Sequence, residues 1–221
     1  MAFQHETMIS PFLDERCYAL FDSDSKKGAL LDPGVGGDGF LENVRKLGLH
    51  VEAIYQSHGH FDHCASAPQL LRDLKAAYFI GPGEEAILKE LPERVRMFGI
   101  EDPEVPGEWQ YVRDGDTLRI GGHKCVVLHT PGHTPGSVCY WFEQEKKVFT
   151  GDTLFRGSVG RTDFPGGSTR ALLTSLKKLT QLPDETMVFP GHGRASTIGH
   201  EKETNPFLRP EGGSMLGGAY F

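Results

Sequence analysis

From His58 to His63 the chain reads His-Gly-His-Phe-Asp-His, just beyond the apolar, strand-like run Val51 to Tyr55. Imidazole and carboxylate are the side chains that hold borderline divalent metals. A helix cannot bring all four side chains to one point, because residues i and i+2 face different ways on it. A loop leaving the end of a strand can. The stretch therefore demands a fold in which a strand end opens into a ligand-bearing loop.

The same grammar recurs three times. The apolar run Cys125 to Leu128 leads to Thr130-Pro131-Gly132-His133-Thr134-Pro135-Gly136. Val148-Phe149-Thr150 leads to Gly151-Asp152, and Met187-Val188-Phe189 leads to Pro190-Gly191-His192-Gly193. Each is an apolar strand, a glycine that frees the backbone, and then a metal-ligand side chain. His58, His60, Asp62, His63, His133, Asp152 and His192 are the candidate metal ligands, at the ends of four strands. That is more than one tetrahedral ion needs, so the set argues for two metals. No cysteine joins it, so the site is not soft; zinc comes first, with iron and manganese open.

The remaining elements follow from periodicity and breakers. Cys17 to Phe21 and Ala29 to Leu31 read as strands joined by the turn Asp22 to Gly28, with Asp32-Pro33-Gly34 ending the second. Asp38 to Leu47, Ser66 to Lys75, Gly83 to Leu91 and Ser168 to Leu182 read as helices, and Ala77 to Ile80 and Thr186 to Phe189 as strands. Thr117 to Phe149 suggests a β-meander. The segment from Pro92 to Gln110, with exposed-looking Met97, Phe98 and Trp109, is read as irregular, either a binding element or a solvated connection. Strands and helices mix along the chain, which makes it α/β or α+β.

With 221 residues the expectation is a single domain over 1–221 with a short C-terminal tail. The net charge of −7 and the absence of a Lys/Arg block argue against nucleic acid and anionic membranes as partners. No apolar stretch approaches the ~20 residues of a membrane span, and the first eleven residues lack the pattern of a signal peptide. Cys17, Cys64, Cys125 and Cys139 are scattered, as expected of reduced, buried thiols in a cytoplasmic protein. Cys64 reads as a packing residue at a helix start. No oligomeric state is read from the sequence.

The His-x-His-x-Asp-His stretch, with His133, Asp152 and His192 following in order, resembles the metallo-β-lactamase superfamily over most of the chain. The resemblance implies a four-layer αβ/βα sandwich with metals at one sheet edge. It also implies that His58, His60 and His133 hold one ion, that Asp62, His63 and His192 hold the other, and that Asp152 bridges. Gly151-Asp152-Thr153-Leu154-Phe155 and Gly160-Arg161-Thr162-Asp163-Phe164 look like the glyoxalase II and persulfide dioxygenase branch. The tail ending Asn205-Pro206-Phe207-Leu208 is similar to that of compact glyoxalase II-like hydrolases.

The implied activity is hydrolysis of a thioester such as S-lactoylglutathione by a metal-bound hydroxide, with Asp62 also orienting the nucleophile. A thioester suits a site with no obvious separate acid, since its thiol, of pKa ~8.5, departs as thiolate. No Gly-x-Ser-x-Gly elbow is present, which disfavours a serine hydrolase. Two features depart from glyoxalase II: the stretch after His192 is too short for its C-terminal helical extension, and its glutathione-contacting Lys and Tyr are not both present. Arg161 offers a bidentate guanidinium to a substrate carboxylate, or else braces its loop through Asp163. The alternative activity is a mononuclear iron persulfide dioxygenase built on His58, His133 and Asp152. That branch usually carries Gly-His-Asp-Tyr where this chain has Gly191-His192-Gly193-Arg194.

Overall fold

A computed structural model describes residues 2–97, 99 and 104–209. Two six-stranded sheets dominate it. The first runs in the order β1 (Phe3–Ile9), β2 (Arg16–Asp22), β3 (Lys27–Leu31), β4 (His50–Tyr55), β5 (Ala77–Ile80), β6 (Gln110–Tyr111). The second contains β7 (Thr117–Ile120), β8 (His123–His129), β9 (Val138–Phe142), β10 (Lys147–Gly151), β13 (Met187–Pro190) and β14 (Ser196–Thr197), in the order β14-β13-β10-β9-β8-β7. A small ribbon of β11 (Leu154–Phe155) and β12 (Ser158–Val159) lies between β10 and β13 in the chain.

Three apolar cores define four layers. Tyr18, Leu20, Leu31 and Tyr55 of the first sheet pack against Val127, Tyr140, Phe142 and Phe149 of the second. The outer face of the first sheet carries Ala19, Phe21, Leu30 and Ile54, and is covered by α1 (Gly37–Leu47), α3 (Ala67–Leu74) and α4 (Glu85–Met97) through Phe40, Leu70 and Leu88. The outer face of the second carries Cys139, Val148 and Val188, covered by α5 (Thr169–Leu179) and α6 (Ile198–Thr204) through Leu172, Leu176 and Ile198. Strands that alternate between two buried faces require helices outside both sheets. This is the αβ/βα sandwich that the family resemblance implies.

Most elements coincide with their sequence readings within two residues. Ser168 caps α5, accepting a hydrogen bond from Ala171 N at 3.3 Å, and Gly48 ends α1 in the left-handed region at φ 66°. Three readings change. β1 carries no apolar run; its pairing with β2 from Phe3–Asp22 to Ile9–Arg16 makes it an edge strand. α4 continues through Pro92 to Met97, six residues past the expected end, because Leu88, Leu91 and Val95 keep an apolar stripe across the proline. Burying such side chains at about 1.5–3 kcal/mol each offsets the ~3 kcal/mol that a mid-helix proline costs. Trp109 is half-buried against the core on the outer face of the first sheet, while Met97 is exposed at 78%. Phe98 lies outside the described residues. Among those described, no helix is long and apolar enough to cross a membrane.

Candidate metal centre

The ends of β4, β8, β10 and β13 deliver all seven candidate ligands to one edge of the sandwich. β4 runs parallel to β3 and β5, and β10 parallel to β13. β8 has the direction of β10, since each pairs antiparallel with β9. Carboxyl ends of like-directed strands thus converge, the usual place for a site in α/β sheets. Beyond β4, His60 precedes the single turn α2 (Phe61–Cys64), which turns Asp62 and His63 back toward His58. Cys64 closes that turn rather than opening a helix; its buried thiol lies 3.4 Å from Gly59 O and 3.2 Å from His60 O.

Three groups have ligand atoms within 4.8 Å of one another: His58 with His60 and His133; Asp62 with His63 and His192; and His58 with His63 and Asp152. The third group links the first two. Asp152 Oδ1 lies 3.3 Å from His63 Nε2, and its Oδ2 lies 3.6 Å from His133 Nε2 and 3.8 Å from His192 Nε2. Asp62 Oδ2 is 3.3 Å from His192 Nε2. Glycine is required beside these atoms: a Cβ on Gly191 would fall 2.4 Å from Asp152 Oδ1 and 2.5 Å from His63 Cε1. The Pro-Gly-His sequence is thus a close-approach device as well as a turn.

Each imidazole but one has its outer nitrogen held. His133 Nδ1 meets Arg161 O at 2.8 Å, His192 Nδ1 meets Leu13 O at 3.1 Å, and His63 Nδ1 meets Asp32 Oδ2 at 3.2 Å. His58 Nδ1 lies 3.0 Å from Ser57 Oγ. Carbonyl and carboxylate oxygens only accept, so His133, His192 and His63 place their protons outward and turn Nε2 inward. His63 Nε2 and His192 Nε2 are then 3.2 Å apart, and His133 Nε2 lies 2.9 Å from His60 Nδ1. Two facing nitrogen acceptors need a cation between them, a proton or a metal ion. His58 Nε2 is buried with no hydrogen-bond partner. A buried acceptor so orphaned fits a metal ligand, and the nitrogen and oxygen donor set fits zinc, iron or manganese.

The charges agree. Burial pushes His58 down, as do its imidazole neighbours, and pushes His60 to about 3 with help from His133. Burial also works against His63, but the carboxylates of Asp152 and Asp62 outweigh it and hold His63 well above the ordinary imidazole value. His192 is raised in the same way by Asp62 and Asp152. Asp62 and Asp152 are held low against burial, with His63 the largest favourable partner of each. The carboxylates thus favour positive charge at His63 and His192, which bound cations would supply.

Three buried acids not assigned to the site by its motifs support it. Asp32, at the end of β3, accepts from Ser57 N at 2.6 Å and Ser57 Oγ at 2.5 Å, and holds His63. Its signal was present, since Asp32-Pro33-Gly34 repeats the strand-then-acid grammar. Glu84, just beyond β5, accepts from Gly59 N at 2.6 Å and Gly136 N at 2.7 Å, tying together the loops that carry His58, His60 and His133. Burial raises its pKa. Glu15 is wholly buried, with Oε1 3.9 Å from His63 Nδ1 and neither oxygen hydrogen-bonded; burial pushes it well above the carboxylate range. No local pattern marks Glu84 or Glu15.

The centre opens into a cleft of about 770 Å³ lined by His60, Asp62, His133, Asp152 and His192 at its floor. Arg161 lies on its wall. Its guanidinium is bound bidentately by Asp163, at 2.6 and 2.5 Å, and sits 4.1 Å from the Phe164 ring centroid. Met97 also lines this cleft. Residues 104, 105 and 107–110 line a separate one against α3, with no residue in common.

The fold and this site define a member of the metallo-β-lactamase superfamily, and a sequence model of the Metallo-beta-lactamase superfamily matches residues 13–192. The chain belongs to that superfamily. It is 38% identical over 199 residues to the hydroxyacylglutathione hydrolase GloC of Haemophilus influenzae, covering 88% of this chain and 92% of GloC. The crystal structure of TTHA1623 in a di-iron-bound form superposes with a TM-score of 0.83 at 36% identity, covering 92% of this chain and all of that one. ETHE1 from Myxococcus xanthus superposes with a TM-score of 0.78 at 29% identity, covering 98% and 90%.

Proposed function

We propose that the protein is a two-metal hydrolase of thioesters, S-lactoylglutathione or a similar compound among them. The observation that carries this reading is the pairing of two three-residue ligand groups around one carboxylate, Asp152. The relation to GloC supports the substrate class. His58, His60 and His133 would hold one divalent ion, and Asp62, His63 and His192 the second, with Asp152 shared between them. When bound, the ions supply Lewis acidity toward a carbonyl and make water acidic enough to attack at neutral pH.

The chain's own residues do the remaining work. Asp62 orients the attacking water by accepting its hydrogen bond. Asp32, Ser57 and the carbonyls of Leu13 and Arg161 fix the imidazole orientations. No proton donor to the leaving group is needed, because a thiol of pKa ~8.5 leaves as thiolate. Arg161 is proposed to exchange Asp163 for a substrate carboxylate; the existing pair is exposed, and such pairs hold weakly. The four cysteines are free and buried, which suits a reducing compartment, and we place the enzyme in the cytoplasm.

A persulfide dioxygenase built on His58, His133 and Asp152 is the second reading, favoured by the ETHE1 neighbour and by the Gly160 to Phe164 loop. The complete Asp62, His63 and His192 group and the glycine after His192 favour hydrolysis. An oxygen electrode and a thiol-release assay on the same iron-loaded sample separate the two. Hydrolysis requires thiol release from S-lactoylglutathione without oxygen uptake. Rapid oxygen uptake with glutathione persulfide, and no thiol release from thioesters, would establish the dioxygenase instead.

A further inference from the structure

Much of the lining of the cleft above the metal centre is apolar. α4 contributes Ala86, Ile87 and Met97 beside its charged Glu90 and Arg94, and Phe155, Val159 and Phe164 also line the cleft. Ala86 is exposed, Ile87 half-buried, and Met97 78% exposed. The wall is continuous with the centre: a Cβ on Gly59, between His58 and His60, would lie 3.5 Å from Ile87, and the rings of His60 and Phe164 are 5.2 Å apart. A large apolar surface left open beside a reactive centre marks a ligand groove.

The charged groups of the cleft point the same way. Among the described lining residues the arginines are Arg94 and Arg161. Arg94 pairs with Glu90 at 3.0 Å one turn away on α4, and Arg161 pairs with Asp163. A carboxylate can reach Arg161 by displacing Asp163. The polar residues that α4 brings to the cleft, Glu90 and Arg94, face each other in their ion pair, which leaves Ala86, Ile87 and Met97 as its apolar contribution.

We infer that the groove between α4 and Phe155 and Phe164 takes an aliphatic acyl chain, so that the preferred substrates are thioesters of apolar acids. This rests on the thioesterase reading and specifies its acyl side. Each methylene buried in the groove should tighten binding about threefold to fourfold.

The test uses metal-loaded protein and two uncleavable thioethers, S-methylglutathione and S-hexylglutathione, with binding measured by calorimetry. The hexyl compound should bind at least about thirtyfold tighter, since the groove buries most of its added methylenes. Ala86→Trp, which fills the groove, and Ile87→Glu, which makes it polar, should each reduce the hexyl-to-methyl ratio to a few-fold. Circular dichroism checks that both variants fold, and Met97→Lys at an exposed position provides a third that keeps the core intact. Equal binding of the two thioethers by the wild type, or no binding of either, overturns the inference, as does a ratio unchanged in all folded variants. Hydrolysis of acetyl- to octanoyl-glutathione separates this failure from that of the parent reading. Thiol release that does not rise with chain length sinks the acyl assignment alone. A hexyl preference in binding with no thiol release from any thioester sinks the hydrolase alone.

Discussion

Glu84 is the residue through which the loops beyond β4 and β8 act as one. Its two oxygens accept from Gly59 N at 2.6 Å and from Gly136 N at 2.7 Å, and its side chain is wholly buried. Glu84→Gln preserves shape but turns an amide donor toward one of those N–H groups. One buried donor then goes unpaired, at about 1–3 kcal/mol, which lowers Tm by roughly 2–12 °C for a chain of this size. Glu84→Ala orphans both donors and should cost about twice as much. A purely structural role would stop there. If Glu84 also sets the spacing of His58 and His60 against His133, Glu84→Gln weakens zinc binding about 10–100-fold, as loss of a ligand-orienting partner typically does. Competition against a chromophoric chelator, at a temperature where the variant is fully folded, reads this directly. Zinc affinity and kcat equal to wild type, with only Tm lowered, would refute the positioning role.

Asp152→Ala should lower kcat at least about tenfold more than His192→Ala, because its two oxygens face residues of both ligand groups while His192 belongs to one; equal, mild losses in steady-state kinetics would contradict a shared carboxylate. Arg161→Ala should raise KM for a carboxylate-bearing thioester several-fold with kcat nearly kept, the mark of uniform binding; an unchanged KM would leave Arg161 as a brace for its own loop. His5 is held at about 4 rather than 6.5, by burial and then by Lys147, so it is neutral in the fold. A depressed pKa means stability present above pH 6.5 and lost as pH falls from 6.5 toward 4. Partial exposure limits the effect to about 1–2 kcal/mol. Urea unfolding of wild type and His5→Gln near neutral pH and near pH ~4.5 should show the wild type losing that much more.

The His and Asp cluster was legible because each of its four segments follows an apolar strand run, and a glycine precedes His60, His133, Asp152 and His192. His58, His60, Asp62, His63, His133, Asp152 and His192 all come together at one edge. Asp32 was half-legible, marked by its Pro-Gly but assigned no partner. Glu84 and Glu15 were invisible, because their importance lies in contacts with residues 25 to 52 and 48 positions away that no local pattern encodes. β1 escaped for a related reason: its strand character comes from pairing with β2, not from its own polar residues. The run of α4 through Pro92 was missed because a proline reads locally as a stop, while burial of Leu91 and Val95 decides the outcome. For Arg161, composition left two roles open, and the geometry places the guanidinium on Asp163 and Phe164 at the cleft wall.

Metal-free protein titrated with zinc, with thiol release from S-lactoylglutathione followed at each addition, tests the two-ion hydrolase most directly. Activity should climb to a plateau at two equivalents per chain. A plateau at one equivalent, or full occupancy of both positions without thiol release, would contradict it.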